Sequence, residues 1–143
     1  MIRFLLDTDI LSLSERGAPG VRQHIEALAA DEYVVSAVSA EELMRGRLAM
    51  LARRSGGEER VHAYRKLVAT IRFLHTVTIL DFDMACEQGF TALRQQKIRI
   101  GSRDLRIAAT ALVHGLTVVT RNSQDFGKVP GLVLENWAGE PPA

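Results

Sequence analysis

Short apolar runs alternate along the chain with longer stretches in which apolar residues recur at helical spacing. Five of these runs predict β-strands, at residues 2–6, 33–38, 76–80, 116–120 and 132–134. The stretches between them predict helices, at residues 8–16, 21–30, from 39 to the Ser-Gly-Gly at 55–57, 58–74, from 83 towards 97, and 103–114. Because strands and helices alternate throughout, we expect an α/β fold with a mostly parallel sheet of about five strands.

Several predicted helices begin at residues that can cap them. Ser39, with Glu42 three residues later, has the pattern of a capping box. Thr8 or Asp9 can cap the first helix, and Asp83 can cap the helix that runs towards residue 97. These side chains predict where the helices begin.

The composition is ordinary for one globular domain, with 143 residues, 47% hydrophobic and 24% charged. We expect that domain to span residues 1–138 and residues 139–143 to form a flexible tail. The single cysteine, Cys86, excludes a disulfide framework and a cysteine-built zinc site. No apolar run approaches the ~18 residues of a membrane span, and the first strand reaches Asp7 too early for a signal peptide. We therefore expect a cytoplasmic protein that does not contact a membrane.

Charge is unevenly distributed although the net charge is only +1. Residues 43–75 carry a net charge of +6, and the rest of the chain carries −5. Such a separation suits a cationic surface that holds a polyanion beside an anionic centre. An arginine-rich helix can equally serve only to keep the protein soluble.

Four carboxylates stand where the predicted strands end. Asp7 follows the first strand, Glu42 lies in the helical turn after the second, Asp104 begins the helix at 103–114, and Asp125 follows the fourth strand. Ligands of open parallel sheets bind beyond the carboxyl ends of the strands. Acids gathered there without Cys or His predict an oxygen-only site for Mg²⁺ or Mn²⁺. Such ions can activate water for attack on a phosphodiester.

Each carboxylate also has a structural explanation when taken alone. Glu42 can complete a capping box, Asp104 can complement a helix dipole, and Asp125 can serve a turn. Asp7 is harder to explain in this way, because an acid directly after a buried strand needs a partner.

Four motifs in this order resemble the PIN-domain toxins of the VapC type. They are Leu-Leu-Asp-Thr-Asp-Ile-Leu at 5–11, Ser-Ala-Val-Ser-Ala-Glu-Glu-Leu-Met-Arg-Gly at 36–46, Asp-Leu-Arg-Ile-Ala-Ala-Thr-Ala at 104–111, and Leu-Thr-Val-Val-Thr-Arg-Asn-Ser-Gln-Asp-Phe at 116–126. Val-Pro-Gly-Leu and Asn136-Trp137 follow the last motif. The resemblance implies a three-layer α/β/α PIN-like fold with an inserted helical hairpin. One departure is Asp9, where the family commonly has Asn; it either adds a fifth negative charge to the site or caps the following helix.

The resemblance also implies a function. It implies a Mg²⁺- or Mn²⁺-dependent endoribonuclease, the toxin of a type II toxin–antitoxin system, which is inhibited by a VapB-type antitoxin and is usually a homodimer. The acidic positions that bind metal and carry catalysis correspond to Asp7, Glu42, Asp104 and Asp125. The polar supporting positions correspond to Thr8, Thr120 and Asn122.

Basic residues near these motifs are candidate RNA contacts. They are Arg45, Arg47, Arg53, Arg54, Arg99 and Arg103. Apolar residues of the hairpin, such as Val61, Tyr64 and Val68, either pack within the domain or line a groove for the antitoxin.

Two other functions are compatible with parts of the sequence. Leu6-Asp7-Thr8-Asp9 also resembles the opening of the haloacid-dehalogenase phosphatases, but only 23 residues follow Thr120, too few for the remaining motifs of that family. The other alternative is a PIN-like module that has lost catalysis and binds RNA or a protein.

Overall fold

The computed structural model describes residues 1–53 and 56–139, which form five strands and seven helices. The strands are β1 (Phe4–Leu6), β2 (Tyr33–Ser36), β3 (Ile79–Leu80), β4 (Thr117–Val119) and β5 (Leu134–Glu135). The helices are α1 (Thr8–Glu15), α2 (Pro19–Glu26), α3 (Ala37–Ala52), α4 (Gly57–Leu74), α5 (Met84–Gln95), α6 (Ser102–His114) and α7 (Ser123–Phe126).

All strand pairs are parallel, and the sheet order is β3-β2-β1-β4-β5. The central strand β1 pairs on one side with β2 and on the other with β4, and Leu6 lies opposite Val35 and Val119. The predicted five-stranded α/β fold is confirmed. The carboxyl ends of all five strands meet at one edge of the sheet, where the residue after β1 lies between the ends of β2 and β4.

Successive residues of β1 point to opposite faces of the sheet, and each face has its own core. Leu5 belongs to a cluster that includes Phe90 of α5 and Ile107 of α6. Leu6 belongs to a second cluster that includes Ile10 of α1. Since full burial of a large aliphatic side chain contributes about 1.5–3 kcal/mol, both faces must be covered, which confirms the three-layer arrangement.

The helical hairpin is present as α3 and α4, which connect β2 to β3. The first helix of this hairpin begins earlier than predicted. Ser36 is its N-cap and accepts a hydrogen bond from the backbone N–H of Ser39 (3.0 Å). The predicted cap at Ser39 and the capping-box role of Glu42 are therefore wrong, because the serine three residues upstream caps the helix.

The predicted N-cap is wrong for α1 and confirmed for α5. Asp7 caps α1 through its contact with the backbone N–H of Thr8, so the predicted caps at Thr8 or Asp9 are wrong. Asp83 caps α5 as predicted and accepts from the N–H of Cys86 (3.0 Å). Cys86 is fully buried in the α5 helix, as expected for a small apolar residue.

Strands β3 and β5 begin later along the chain than the apolar runs that predicted them. The backbone N–H and the hydroxyl of Thr76 both donate to the carbonyl of Phe73, which completes the end of α4 and delays β3 to residue 79. The strand predicted at 132–134 forms at Leu134–Glu135, where β5 pairs with β4.

The carboxyl-terminal segment packs against the amino-terminal third of the chain. Trp137 is buried, with its ring edge-on to Phe4 (5.0 Å between centroids) and stacked on His24 (5.2 Å). A Cβ placed on Gly20 of α2 would lie 2.5 Å from the Gly139 carbonyl oxygen. Residues 140–143 of the predicted tail lie outside the described residues, so the tail remains a prediction. In the described ranges, none of the helices has the length and apolar character needed to cross a membrane.

Candidate metal centre

The Asp7 carboxylate lies at the carboxyl end of β1 and is buried. Its Oδ1 accepts a hydrogen bond from the backbone N–H of Thr8 (2.7 Å), and its Oδ2 accepts one from the hydroxyl of Thr120 (2.8 Å). The Asp7 N–H donates to the carbonyl of Val119 (2.9 Å), which extends the contact between β1 and β4 by one residue. The side chain is therefore fixed by groups from two distant parts of the sequence.

A chain of hydrogen bonds continues from Asp7 into the loop after β4. Thr120 Oγ1 accepts from the backbone N–H of Asn122 (2.9 Å). The side-chain oxygen of Asn122 accepts from the N–H of Asp125 (3.4 Å), and its side-chain nitrogen donates to Asp125 Oδ2 (3.1 Å). Two of the three predicted supporting residues thus link Asp7 to Asp125.

The third predicted supporting residue, Thr8, connects two helices. Its hydroxyl donates to Ser39 Oγ (3.1 Å), so the first turn of α1 is tied to the first turn of α3. Glu42 lies on the next turn of α3, in the same crevice.

An open crevice of about 380 Å³ lies at this edge of the sheet. It is lined by Asp7, Thr8, Asp9, Ser12, Glu42, Leu43, Gly46, Arg47, Asp104 and Asn122. Three of the four predicted acids thus share the crevice. Asp125 is absent from its lining and instead lies 3.6 Å from the Lys128 ammonium, but its charge still acts on Asp104.

Asp7, Glu42 and Asp104, which line the crevice, have raised pKa values. Burial raises the pKa of Asp7 from 3.8 to about 7; the charges of Asp9 and Asp104 add to this rise, and the hydrogen bonds from Thr120 and Thr8 oppose it. Burial also raises the pKa of Glu42, against the opposing charge of Arg103. The pKa of Asp104 is raised by burial and by the charges of Asp125 and Asp9. Without an added cation, negative charge is unfavourable here.

Two carboxylate oxygens of this region are buried and have no hydrogen-bond partner among the described residues. They are Oε1 of Glu42 and Oδ1 of Asp9. Hard oxygen donors that lack a partner fit Mg²⁺ or Mn²⁺, because a divalent cation supplies both the missing partner and the missing positive charge. Within residues 1–53 and 56–139, however, no three acidic, histidine or cysteine side chains are already grouped as ligands of one ion.

Asp9 forms a contact that the sequence analysis missed. Its Oδ2 accepts a hydrogen bond from Nε of Arg121 (3.1 Å). The signal that could have revealed this pair is topological. Arg121 follows β4 by two residues, Asp9 follows β1 by three, and β1 and β4 are parallel neighbours.

Arg47 occupies a different environment from the one expected of an RNA contact. Its side chain is 14% exposed and donates from Nε to the Thr70 hydroxyl (2.9 Å) and from a terminal nitrogen to Glu15 Oε2 (3.2 Å). The Thr70 hydroxyl donates to Glu15 Oε1 (2.6 Å). Arg47 therefore joins α3 to α1 and α4, and its guanidinium is already engaged.

The other candidate RNA contacts are more accessible. Arg45, Arg53 and Arg99 are all exposed, and Arg45 pairs with Glu41 (2.6 Å). Arg103 is half-buried near Glu42. Arg54 lies outside the described residues.

The comparisons with known proteins agree with the fold. The sequence profile of the family described as PIN domain matches residues 4–132. The chain is 29% identical over 142 residues to the tRNA(fMet)-specific endonuclease VapC of Shigella flexneri, an alignment that covers 96% of this chain and 100% of that protein. It is 31% identical over 138 residues to ribonuclease VapC1 of Rickettsia felis, which covers 90% of this chain and 91% of that protein.

A solved structure also matches along nearly its full length. The crystal structure of DNA-bound VapBC from Salmonella typhimurium has a TM-score of 0.77 and 25% identity, and the match covers 96% of this chain and 99% of that chain. The sheet order, the acidic crevice and these matches define a PIN-type α/β protein. The chain belongs to the PIN-domain family, and within it to the VapC-type toxins.

Proposed function

We propose that this protein is a divalent-cation-dependent endoribonuclease, the toxin of a type II toxin–antitoxin system that a VapB-type antitoxin inhibits. The observation that carries the proposal is the crevice at the end of the sheet. There, buried carboxylates have raised pKa values, and Oε1 of Glu42 lacks a hydrogen-bond partner among the described residues. The names of the VapC relatives, an endonuclease and a ribonuclease, support the same reaction.

Asp7, Glu42 and Asp104 would hold Mg²⁺ or Mn²⁺, with Asp125 completing the surroundings. The bound cation supplies Lewis acidity, which activates water and stabilises negative charge on the phosphodiester. Asp7 remains correctly oriented because one hydrogen-bond donor engages each of its oxygens, while further lone pairs on both oxygens stay available.

The protein's own cations would hold the RNA backbone. Arg103 lies near the crevice beside Glu42, and Arg99 is exposed in the loop before α6. Arg45, on the exposed side of α3, is three residues from Glu42. Contacts of this kind position phosphates without selecting a base sequence.

The antitoxin would dock on α4. Val61, Tyr64 and Val68 are exposed apolar residues that line a groove of about 570 Å³. Arg60, Arg65 and Arg72 also line this groove. An amphipathic antitoxin segment with acidic flanks fits this combination. The similar structures titled as VapBC complexes support the presence of a protein partner, and the choice of this surface rests on its exposed apolar and basic residues.

A homodimer belongs to the same proposal. Leu112 and Val113 leave apolar surface exposed in the last turns of α6, and an exposed apolar surface of this kind suits contact with a second copy. Light scattering of the purified toxin alone would test this state, and a monomeric mass across the micromolar range would contradict it.

Cleavage of end-labelled RNA tests the enzyme directly, and a tRNA(fMet) transcript is a suitable first substrate because a relative is named for it. We expect cleavage with Mg²⁺ or Mn²⁺, none in EDTA, and suppression by the antitoxin. Asp104→Asn should abolish cleavage, whereas Asp31→Asn, an exposed control that pairs with the amino terminus, should leave it unchanged. RNA that is bound but never cut in Mn²⁺ would instead favour the non-catalytic module.

A further inference from the structure

Asp9 is the acid of this crevice that the four-carboxylate pattern does not use. It stands at the second position of α1, two residues after Asp7, and lines the crevice together with Asp7 and Asp104. The capping role that sequence suggested belongs to Asp7. Asp9 therefore needs another explanation.

The two oxygens of Asp9 have different surroundings. Oδ2 accepts from Nε of Arg121, whose side chain is half exposed, while Oδ1 is buried without a partner among the described residues. An ordinary surface ion pair leaves its spare oxygen in water. Here the spare oxygen of a residue that lines the crevice is buried, where a missing partner is costly.

The charge of Asp9 is directed into the site. It is among the causes of the raised pKa values of both Asp7 and Asp104. Arg121, in the loop after β4, is the cation that the structure places against Asp9.

We propose that Asp9 is a fifth carboxylate of the divalent-cation site, and that Arg121 is its counter-ion, which engages Oδ2 and leaves Oδ1 available to the cation. The inference rests on the proposed metal-dependent function. Arg121 keeps Asp9 oriented, but its positive charge also opposes the cation. The pair therefore sets how tightly the site binds metal.

Titration calorimetry with Mn²⁺ on the purified protein tests this assignment. Asp9→Asn keeps the shape and removes the charge, so we expect affinity to fall roughly tenfold. Arg121→Gln keeps a donor and removes the positive charge, so we expect affinity to rise roughly threefold. In the double variant the gain from Arg121→Gln should persist in reduced form, because the charge of Arg121 opposes the cation directly whether or not Asp9 is charged.

Control variants separate this inference from the proposed function. Glu26→Gln removes a carboxylate of the exposed Arg22–Glu26 pair on α2 and should bind Mn²⁺ like the wild type. If the wild type binds no Mn²⁺, the proposed function fails. If Asp104→Asn abolishes binding while Asp9→Asn stays within twofold of the wild type, the role of Asp9 is refuted and the metal site stands. Arg121→Gln that binds no more tightly than the wild type would overturn the counter-ion role. Unfolding in EDTA verifies that each variant is folded.

Discussion

Replacing Asp7 with Asn should stabilise the metal-free protein while destroying its activity. Asp7 is 6% exposed, and burial raises its pKa from 3.8 to about 7. The charged carboxylate is thus less stable in the folded state than in the unfolded chain. Asn has nearly the same shape but cannot carry that charge.

The sign of the pH dependence follows from these two values. Because the folded-state pKa is the higher one, the contribution of Asp7 to stability is fully present below pH 3.8 and is lost as pH rises through about 7. The whole change is about 4 kcal/mol, and more than half of it falls between pH 5 and pH 8.

Asn does not recover the full amount. Its side-chain oxygen can replace only one of the two acceptors, which now receive the Thr8 N–H and the Thr120 hydroxyl. The loss of one hydrogen bond to a charged group costs about 1.5–2 kcal/mol, which offsets part of the stability gained by removing the charge. We therefore expect Asp7→Asn to be about 2–3 kcal/mol more stable than the wild type at pH 8, and about equally stable at pH 5.

Urea unfolding in EDTA at pH 5, 6, 7 and 8 measures this difference. Glu42 and Asp104, whose pKa values are also raised, add to the slope of the wild type and remain in the variant, so the difference between the two curves reports Asp7 together with its repulsion of the neighbouring acids. Added Mn²⁺ should reverse the order at pH 8, because only the wild type gains from the ion. Asp31→Asn should run parallel to the wild type. The reasoning would be refuted if the free energy of unfolding of Asp7→Asn also ran parallel to that of the wild type across this pH range, or were lower than that of the wild type at pH 8.

Three further substitutions test other contacts. Thr120→Val removes the hydroxyl that donates to Asp7, so Mn²⁺ affinity measured by calorimetry should fall about 10- to 100-fold; an unchanged affinity would contradict the supporting role. Arg47→Met leaves Glu15 buried without its cation and should cost about 3–5 kcal/mol in urea unfolding, whereas an exposed RNA contact would cost almost nothing. Gly20→Ala places a Cβ 2.5 Å from the Gly139 carbonyl oxygen and should cost about 1–3 kcal/mol and shift the fluorescence of Trp137; an unshifted spectrum would show that the segment adapts freely.

The order of the elements could be predicted because apolar runs and helical periods are local signals. Leu5 and Leu6 lie in an apolar run, and the structure buries both, one on each face of the sheet. The exact boundaries of the elements were less predictable where two residues can each cap the same helix. Ser36 and Ser39 can each cap α3, and the structure uses the earlier one. That shift of three residues moves Glu42 from the first turn of the helix to the second.

The acidic residues of the site could be predicted from the sequence, but most of the side-chain contacts around them could not. Positions after a strand, for Asp7 and Glu42, and at the start of a helix, for Asp104, correctly indicated residues that share one crevice, whereas Asp125 is absent from its lining. The buried pairing of Arg47 with Glu15 depends on how α3 lies against α1, which no local pattern in the sequence encodes. The same holds for Asp9 and Arg121, which are 112 residues apart along the chain.

The central place of β1 has a consequence for the timing of toxicity. Asp7 is synthesised before its partner Thr120, which lies 113 residues later, next to a strand that must pair with β1. A polypeptide still growing on the ribosome therefore lacks the support of its Asp7 carboxylate until β4 and Thr120 have been synthesised. We therefore expect the growing chain to be inactive until that point, which gives a co-produced inhibitor time to be present when the fold closes.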